Sequence, residues 1–596
     1  TPLLISPHNS RRIYYAAEYV FRSDDRGSNW QIISSDLTRQ LDRNQLDVMG
    51  RVWSVDSIAK NDSTSIYGSI IGFSESPIQA DLLYAGTDDG VISVSSDGGE
   101  NWKSVKSFPG VPDMSLVEDL IASSHDANVA YAVFDNHKRG DYRPYVYKTT
   151  NQGKSWQSIT GNLPERGSAH TIAEDPIDPN LLFVGTEFSL LFSQDGGDNW
   201  IKLDGLPTIA VRDIEIQQRE HDLVVGTFGR GIYILDDYRA LRTSTDAIQQ
   251  AEATLFQVKD TWLYIEGDRW GTNGVRGYQG DNFFAAENPT FGTRFTYYLN
   301  KGVKSRQAQR RETEIKREQD NEDTPYPSWD DLRTEDQERE PSLIIEIRDD
   351  SNTVVRRVTT AHKKGLHYVN WDLRLTPPDP VDLNPPKYEG FRSPPMGPLA
   401  TPGEYSAQLV KRVNGQPIPI GARQSFSLKP LDLSPEITKD RQALQAFQQK
   451  TAQLLRAVTG ANKRSAELRN RINHLWRALD LTPATSEAQH AKLGGLQSRL
   501  DQLDIALTGD KTLRSRNEPA PLSISQRASG IRRNTWKSQS PVTGLHQDAY
   551  RIAAQEFDEV VVELGKIGNE LSSFEAELGG QETPWTPGRL PDWPPK

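Results

Sequence analysis

An eight-residue pattern that occurs four times before residue 205 constrains this fold more than any other feature of the sequence. Each copy has Ser or Thr first, Asp or Asn third, Gly fifth and Trp eighth. The copies, which we call boxes 1 to 4, begin at Ser23, Ser95, Thr149 and Ser193. The shortest spacing, between boxes 3 and 4, suits one four-stranded blade of a β-propeller, and the longer spacings leave room for loop insertions.

The residue types inside each box are those of a tight turn. Asp or Asn accepts hydrogen bonds from its own downstream backbone, Gly supplies a positive φ, and Trp packs back under the hairpin. We therefore predict a structural role, with every Trp buried, for Asp25, Trp30, Asp97, Trp102, Asn151, Trp156, Asp195 and Trp200.

A second phrase, a short β-rich run ending in Gly-Thr, accompanies the boxes. It occurs at Gly86-Thr87, Gly185-Thr186 and Gly226-Thr227. After the last copy, Asp236-Asp237 stands where a box is expected, which indicates a degenerate terminal blade. Residues 1–245 are therefore predicted to form about five blades, each with four antiparallel strands, of a partial propeller.

The pattern changes twice beyond residue 250. Alternating apolar residues over 250–432 predict an antiparallel, Ig-like β-sandwich. Two insertions interrupt it, a charged one at 301–340, predicted as a solvated helix or disorder, and a Pro-rich one at 376–403. From 434 to 580, starting at the predicted N-cap Ser434, the apolar period is helical and indicates a four-helix bundle. The tail 581–596 is predicted to dock in an extended form, which completes a mainly β protein with a helical C-terminal part.

The boxes resemble the Asp-box (BNR) repeats of sialidases, xyloglucanase-type glycoside hydrolases and sortilin. Phrases such as Asp36-Leu37-Thr38-Arg39 and Asn370-Trp371-Asp372-Leu373-Arg374 are similar to those of bacterial sortilin-like BNR-repeat proteins, which are often labelled glycosyl hydrolases. The resemblance implies the C-terminal portion of such a protein, an extracytoplasmic location in a bacterium, and additional blades upstream.

Composition narrows the function classes. The net charge is −12, without a long basic block, which argues against nucleic acid as a partner. The chain has no Cys, so disulfides and thiolate chemistry are excluded. No run of apolar residues is long enough to span a membrane. No cofactor or metal is predicted, because His125, His137, His170 and His221 show no metal-ligand spacing.

Blade order predicts which face binds a ligand. The box joins the third and fourth strands, so the loops between second and third strands, and those between blades, lie on the opposite face. That face gathers both signs of charge, and Arg51 or another Arg on it could recognise a carboxylate. Its predicted ligand-binding residues are Arg166, His170, Glu187, Phe188, Arg212, Phe228 and Arg230.

Catalysis on the same face is the alternative. Glycoside hydrolysis needs two carboxyl groups that flank a sugar. The candidates are Asp88, Asp89, Glu187 and Asp213, but no spacing rule selects a pair. The Arg-Ile-Pro motif of sialidases is absent from the chain.

Three functions are therefore weighed. The first is an exported binding or scaffold protein that recognises a protein or polysaccharide, and it predicts no turnover of sialosides or β-glucans. The second is a glycoside hydrolase, and the third is a structural subunit of a larger cell-envelope assembly. Because a ring of five such blades is expected to be incomplete, an upstream segment, cleaved or separate, is predicted to pack against residues 1–30 and the blade ending near Asp237.

Overall fold

A computed structural model of the chain describes residues 2–62, 67–243, 245–265, 289–385, 394–431 and 440–591. The chain divides into two compact units, Thr1–Gln250 and Ala251–Lys596. Strands dominate the first unit, and the long helices all belong to the second.

The first unit is a series of five antiparallel sheets that follow one another along the chain. In each sheet the strands pair in sequence order. Sheet 1 consists of β1 (Leu3–Ile5), β2 (Ile13–Ala16), β3 (Val20–Ser23) and β4 (Gln31–Ile32); sheet 2 of β5 (Ile70–Glu75), β6 (Leu83–Thr87), β7 (Ile92–Ser95) and β8 (Lys103–Val105); sheet 3 of β9 (Leu116–Ala122), β10 (Ala130–Asn136), β11 (Asp141–Thr149) and β12 (Gln157–Ser158); sheet 4 of β13 (Ala169–Glu174), β14 (Leu182–Thr186), β15 (Leu190–Ser193) and β16 (Ile201–Lys202); sheet 5 of β17 (Val211–Gln217), β18 (Asp222–Thr227) and β19 (Ile232–Leu235).

Separate apolar cores join each sheet to the next. Ile92 and Val94 of sheet 2 pack with residues of sheet 3, and Leu190 and Phe192 of sheet 4 pack with residues of sheet 5. The middle strands β6, β10 and β14 are buried at every residue, because a sheet lies on each side of them. This explains their continuous apolar sequences, since alternation of apolar and polar residues is needed only where one face meets water.

The boxes form the turns between third and fourth strands. In box 2, Asp97 accepts from the Ser95 hydroxyl at 2.8 Å and from the Asn101 backbone N–H at 2.9 Å, while Ser95 accepts from the Gly99 N–H at 2.9 Å. Boxes 1, 3 and 4 repeat these bonds around Asp25, Asn151 and Asp195. The side-chain hydrogen bond from Asn101 is the main cause that lowers the pKa of Asp97 to about 2.

The expectation that every box Trp is buried is wrong for Trp30. Trp156 and Trp200 are buried and Trp102 is partly buried, whereas Trp30 is 45% exposed. The indole N–H of Trp200 donates to the Ile159 carbonyl of the preceding sheet at 2.9 Å. In the described part of the chain no sheet precedes sheet 1, so Trp30 has nothing equivalent to pack against.

The expectation of four strands in every sheet is also wrong for sheet 5. Within residues 211–243 only three strands form, and a 3-10 helix, Tyr238–Arg242, follows β19. Tyr238 is buried against the Phe183 ring, with ring centroids 5.3 Å apart, and donates to Asp175 at 2.6 Å. This aromatic residue fills the core beside sheet 4 in the absence of a box. The short helix α1 (Thr245–Gln250) ends the unit.

In the second unit two sheets pack through a shared core. The three-stranded sheet contains β20 (Ala253–Leu255), β22 (Thr293–Leu299) and β25 (Gly365–Trp371); the five-stranded sheet contains β21 (Thr261–Leu263), β27 (Gln416–Pro430), β26 (Gly403–Val413), β23 (Ser342–Arg348) and β24 (Val354–Thr360), in that order. One pair departs from the expected antiparallel arrangement, because β21 runs parallel to β27. The charged insertion forms the helices α2 (Arg306–Gln319) and α3 (Trp329–Asp336), which bury no residue.

Four of the remaining helices share one apolar core: α4 (Arg441–Leu481), α5 (Glu487–Thr508), α7 (Ile524–Thr535) and α8 (Gly544–Leu578). The short helix α6 (Lys511–Arg514) lies between α5 and α7 in the sequence and buries no residue. The predicted N-cap Ser434 lies outside the described residues; α4 is capped by Asp440, which accepts from the Ala443 N–H at 2.9 Å. Arg471 and Glu575 form a buried ion pair between α4 and α8. None of the helices in the described ranges is long and apolar enough to cross a membrane.

Candidate functional site

The first strand of each of sheets 2 to 5 contains one extra residue at the same place. In sheet 4, Ala169 pairs with Thr186 and Thr171 with Gly185, which leaves His170 as a bulge. By the same register shift the extra residue is Ile71 in sheet 2, Glu118 in sheet 3 and Arg212 in sheet 5. A β-bulge redirects its side chain out of the regular pleat, and bulges are common beside functional sites.

Three of these bulge residues meet. His170 Nδ1 lies 3.1 Å from Arg212 Nη1 and 3.8 Å from Glu118 Oε1. Its other ring nitrogen, Nε2, is 2.8 Å from Oε2 of Glu187, which stands in the turn after β14. Arg212 completes the group, 3.6 Å from each carboxylate. We call Glu118, His170, Glu187 and Arg212 the bulge cluster.

Its hydrogen bonds fix the state of the imidazole. Arginine carries only donors, so Nδ1 of His170 accepts from Arg212 and Nε2–H donates to Glu187. Burial lowers the pKa of His170, opposed by the hydrogen bond to Glu187. His170 is thus neutral at pH 7, and its two hydrogen bonds hold the side chains of Arg212 and Glu187 in place.

Of the two carboxyl groups in the bulge cluster, that of Glu118 has a raised pKa. Burial raises its pKa, and the nearby carboxylate of Asp135 adds to this effect. Asp135 is itself buried and accepts from the backbone N–H of His137 at 3.0 Å and from its ring Nδ1. The protein therefore keeps a carboxyl group of raised pKa beside a fixed, ionised guanidinium.

One exposed aromatic ring lies against the bulge cluster, and a second belongs to the residue that follows Glu187 in the sequence. The Phe228 ring lies 5.6 Å from the guanidinium carbon of Arg212, and Phe188 follows Glu187 directly. Both rings are largely exposed. Apolar rings beside charged hydrogen-bonding groups are the usual composition of a site that binds an amphipathic ligand.

The structure thus brings together four of the residues predicted for the binding face: His170, Glu187, Arg212 and Phe228. Arg166 and Arg230 are exposed on the loops near them in sequence. Arg51 lies elsewhere, stacked 3.5 Å from the Trp53 ring centroid.

The other candidate carboxylates hold loops of sheet 2 or stand apart. Asp88 accepts from the Ser69 N–H at 2.8 Å, and burial raises its pKa. Asp89 is fully buried and accepts from the Arg39 N–H at 2.7 Å. Asp213 is exposed on β17, beside Arg212. These bonds give Asp88 and Asp89 a structural task.

Sequence reasoning missed Glu118. It lies inside a strand rather than in a loop, and only its bulge gives it the position of His170 and Arg212. One signal was available: His170 and Arg212 are each the second residue of a strand, and the strand that follows ends in Gly-Thr. Sheet 3 has no Gly-Thr phrase, which concealed the equivalent position.

The described residues contain no group of three or more His, Asp or Glu side chains arranged to hold a metal ion. Two of the scattered histidines contact other groups: His125 contacts the Asp175 carbonyl at 2.7 Å, and His221 lies against Arg242.

Comparison with known proteins found no matching family model. A xyloglucanase of Paenibacillus sp. is 27% identical over 147 residues, which are 23% of this chain and 14% of that protein. An uncharacterized membrane glycoprotein of Saccharomyces cerevisiae is 31% identical over 100 residues, 16% of this chain and 21% of that protein. The chain thus spans at most about a fifth of the length of these relatives.

Among solved structures, the GH74 xyloglucanase of Xanthomonas campestris is similar at 17% identity and a TM-score of 0.30, covering 44% of this chain and 41% of that one. YCF48 of Cyanidioschyzon merolae is similar at 15% identity and a TM-score of 0.27, covering 41% of this chain and 68% of that one.

Proposed function

We propose that this protein is an exported carbohydrate-binding protein that recognises a polysaccharide through the bulge cluster. The observation that carries the proposal is the union of a charged hydrogen-bonding group, Glu118–His170–Arg212–Glu187, with the exposed ring of Phe228. A sugar has hydroxyl edges and apolar C–H faces, so it needs both kinds of partner.

Fixed geometry favours binding. The neutral His170 and the cationic Arg212 contact both carboxylates, so neither Glu118 nor Glu187 must reorganise to accept a hydroxyl hydrogen bond. Preorganised groups lose less conformational entropy on binding. The relatives that are named xyloglucanases support a carbohydrate rather than a protein ligand.

Hydrolysis is the second candidate function. The raised pKa of Glu118 suits a general acid, and the xyloglucanase relatives favour this function over a scaffold without carbohydrate. In glycosidases, however, the two carboxyl groups flank the sugar itself. Here an imidazole and a guanidinium contact both carboxyl groups, which supports binding as the main role.

The binding test uses soluble xyloglucan oligosaccharides and isothermal titration calorimetry on the whole chain. We expect Arg212→Ala to weaken binding by roughly 10- to 150-fold, because a charged hydrogen bond contributes about 1.5–3 kcal/mol. Phe228→Ala removes one aromatic contact of about 0.5–1.5 kcal/mol, or roughly 2- to 10-fold in affinity. The matched control is Trp329→Ala, an exposed aromatic residue of the second unit, which should leave binding unchanged.

Two results would refute the binding proposal. One is the absence of binding across a panel of neutral and acidic polysaccharides. The other is binding that survives both site variants and is lost in the control. Turnover of xyloglucan that Glu118→Gln or Glu187→Gln abolishes while binding persists would establish the hydrolase instead.

The architecture belongs to the same proposal. We infer that the five sheets are blades of an Asp-box β-propeller, that the two-sheet part over 250–432 is an Ig-like sandwich, and that the helices over 434–580 form a bundle with the tail docked on it. In this arrangement the second unit serves as a platform, which also suits a subunit of a larger envelope assembly.

A further inference from the structure

A cavity of about 850 Å³ opens in the second unit between the residues that follow β22, the loop that joins β24 to β25, and the first turns of α2. Lys301 and Lys304 line it from the first of these segments, and Lys363 and Lys364 line it from the loop. We call it the lysine cavity. Its volume falls within the range of about 300–1,000 Å³ that is usual for clefts that bind small ligands.

The lining of the lysine cavity carries the opposite charge to the chain as a whole. Among the described residues, four lysines line it against two carboxylates, those of Glu312 and Glu340, so two positive charges are left in a chain with a net charge of −12. Glu312 pairs with Lys304, and the other three lysines form no ion pair within the part of the chain that the structure describes. A concave surface with one sign of charge concentrates ions of the other sign, which predicts an anionic ligand.

The loop that carries Lys363 and Lys364 has a fixed backbone. The hydroxyl group of Tyr297 donates to the Ala361 carbonyl at 2.6 Å. The imidazole Nε2–H of His367 donates to the Lys363 carbonyl at 2.9 Å, since a carbonyl oxygen can only accept. The loop therefore needs little further ordering when a ligand reaches its lysines, which lowers the entropic cost of binding.

The two segments that carry the lysines are held against each other. The backbone N–H of Val303 donates to the His362 carbonyl at 2.8 Å. A Cβ on Gly302 would lie 3.1 Å from the same carbonyl oxygen, which is closer than ordinary van der Waals contact, so this glycine permits the approach. The backbone thus gathers the lysines of both segments around one cavity.

The start of α2 is not the source of the positive charge. The backbone N–H of Arg306 donates to a carboxylate oxygen of Glu338 at 2.6 Å, and that of Ala308 donates to the Ser305 hydroxyl at 3.1 Å. Groups of the protein itself therefore occupy these two donors. An anion in the cavity depends on the lysines instead.

The uncharged part of the lining suits hydroxyl groups. The side-chain N–H of Gln309 donates to the Lys304 carbonyl at 3.0 Å, which leaves its Oε1 to accept a hydrogen bond from a ligand. Among the described residues, no Phe, Tyr or Trp lines the cavity, so a nucleobase would find no such ring to stack on. Anionic groups together with hydroxyl groups are the chemistry of an acidic saccharide.

We propose that the lysine cavity binds an acidic saccharide, whose carboxylate or sulfate groups contact Lys363 and Lys364 and whose hydroxyl groups contact Gln309. The cavity differs from the bulge cluster of the first unit, where two carboxylates lie close to the guanidinium of Arg212. An ammonium group without a carboxylate partner keeps its charge for a ligand anion, and charged hydrogen bonds of this kind are the strong ones. The second unit thus has a ligand of its own, which does not require the bulge cluster.

Isothermal titration calorimetry on the whole chain tests the site with three hexasaccharides: maltohexaose, its sulfated form and hexagalacturonate. We expect the acidic probes to bind, and any binding of maltohexaose to be unaffected by changes in the cavity. Binding of hexagalacturonate alone would assign a uronate, and binding of the sulfated probe alone would assign a sulfated sugar; either supports the proposal. The affinity should fall as the salt concentration rises from about 0.1 M to about 1 M, because the Debye length shrinks from about 10 Å to about 3 Å.

Two double variants locate the charge that binds. Lys363→Gln with Lys364→Gln should weaken binding of the acidic probe at least about tenfold, because charged hydrogen bonds are lost. The matched control, Lys463→Gln with Lys511→Gln, makes the same change of charge at exposed lysines of α4 and α6 and should leave the affinity unchanged. Both double variants should melt within about 2 °C of the wild type. Arg212→Ala should also leave the affinity unchanged, which separates this site from the bulge cluster.

Limited acetylation followed by mass spectrometry locates the ligand directly. A saturating acidic probe should slow the acetylation of Lys301, Lys363 and Lys364 several-fold and leave that of Lys463 and Lys511 unchanged. Four results would overturn the proposal: no binding of either acidic probe, equal losses of affinity in the two double variants, loss of binding in the Arg212 variant, or protection of Lys463 as strong as that of Lys363.

Discussion

The contribution of a box Trp to stability is set by the neighbouring sheet, and Trp200 and Trp30 test this directly. Both occupy the eighth position of a box, but Trp200 is buried and bonded to Ile159 while Trp30 is 45% exposed. Replacing a buried Trp by Ala costs about 3–5 kcal/mol. For a unit of this size each kcal/mol lowers the melting temperature by about 2–4 °C, so Trp200→Ala should lose about 6–20 °C.

Trp30→Ala should cost far less. Its remaining contacts are the Tyr15 ring and the carbonyl of Gly27, and surface substitutions usually stay within about 0.5 kcal/mol. The expected shift is therefore about 2 °C or less. Differential scanning calorimetry of the whole chain, with the transition of the first unit assigned by hydrogen exchange, measures both variants. Equal losses would refute the reasoning, because stability would then depend on the box itself and not on its neighbour.

Three further outcomes follow from the charges. Asp97 has a pKa of about 2, below its ordinary value of 3.8. Its ionised carboxylate therefore stabilises box 2 fully above about pH 4, and this stabilisation is lost as the pH falls through 2. Box 3 has Asn151 at this position, which does not titrate, so its backbone amides should stay protected from exchange at about pH 2. Glu118 has a raised pKa, so its ionised form opposes folding as pH rises; the melting temperature of Glu118→Gln should exceed that of the wild type by more at pH 7 than at pH 4. Glu575→Ala leaves Arg471 buried and unpaired, which should cost about 3–5 kcal/mol in urea unfolding, and an apolar replacement of both residues should recover most of it.

Local features of the first unit were predictable because they depend on short-range chemistry. The hydrogen bonds around Asp25 and Asn151 are dictated by residues within one box, and the spacing of boxes gave the sequence of sheets. The gathering of His170, Glu187 and Arg212 followed from strand order. Glu118 escaped because a bulge in β9, which depends on its pairing with β10, decides where its side chain points.

The exposure of Trp30, Ile232 and Ile234 has one physical cause. The residue types of a box or strand do not distinguish a sheet that is covered by a neighbour from one that is not. Ile232 and Leu190 are equally apolar, but only Leu190 is buried, because another sheet packs against it. The apolar sequence of sheet 1 or sheet 5 therefore predicts buried side chains, although the described residues place a neighbouring sheet on only one of its faces. The box glycine is different, because Gly27 has a φ of +87°, so its turn requires glycine whether or not a neighbouring sheet is present.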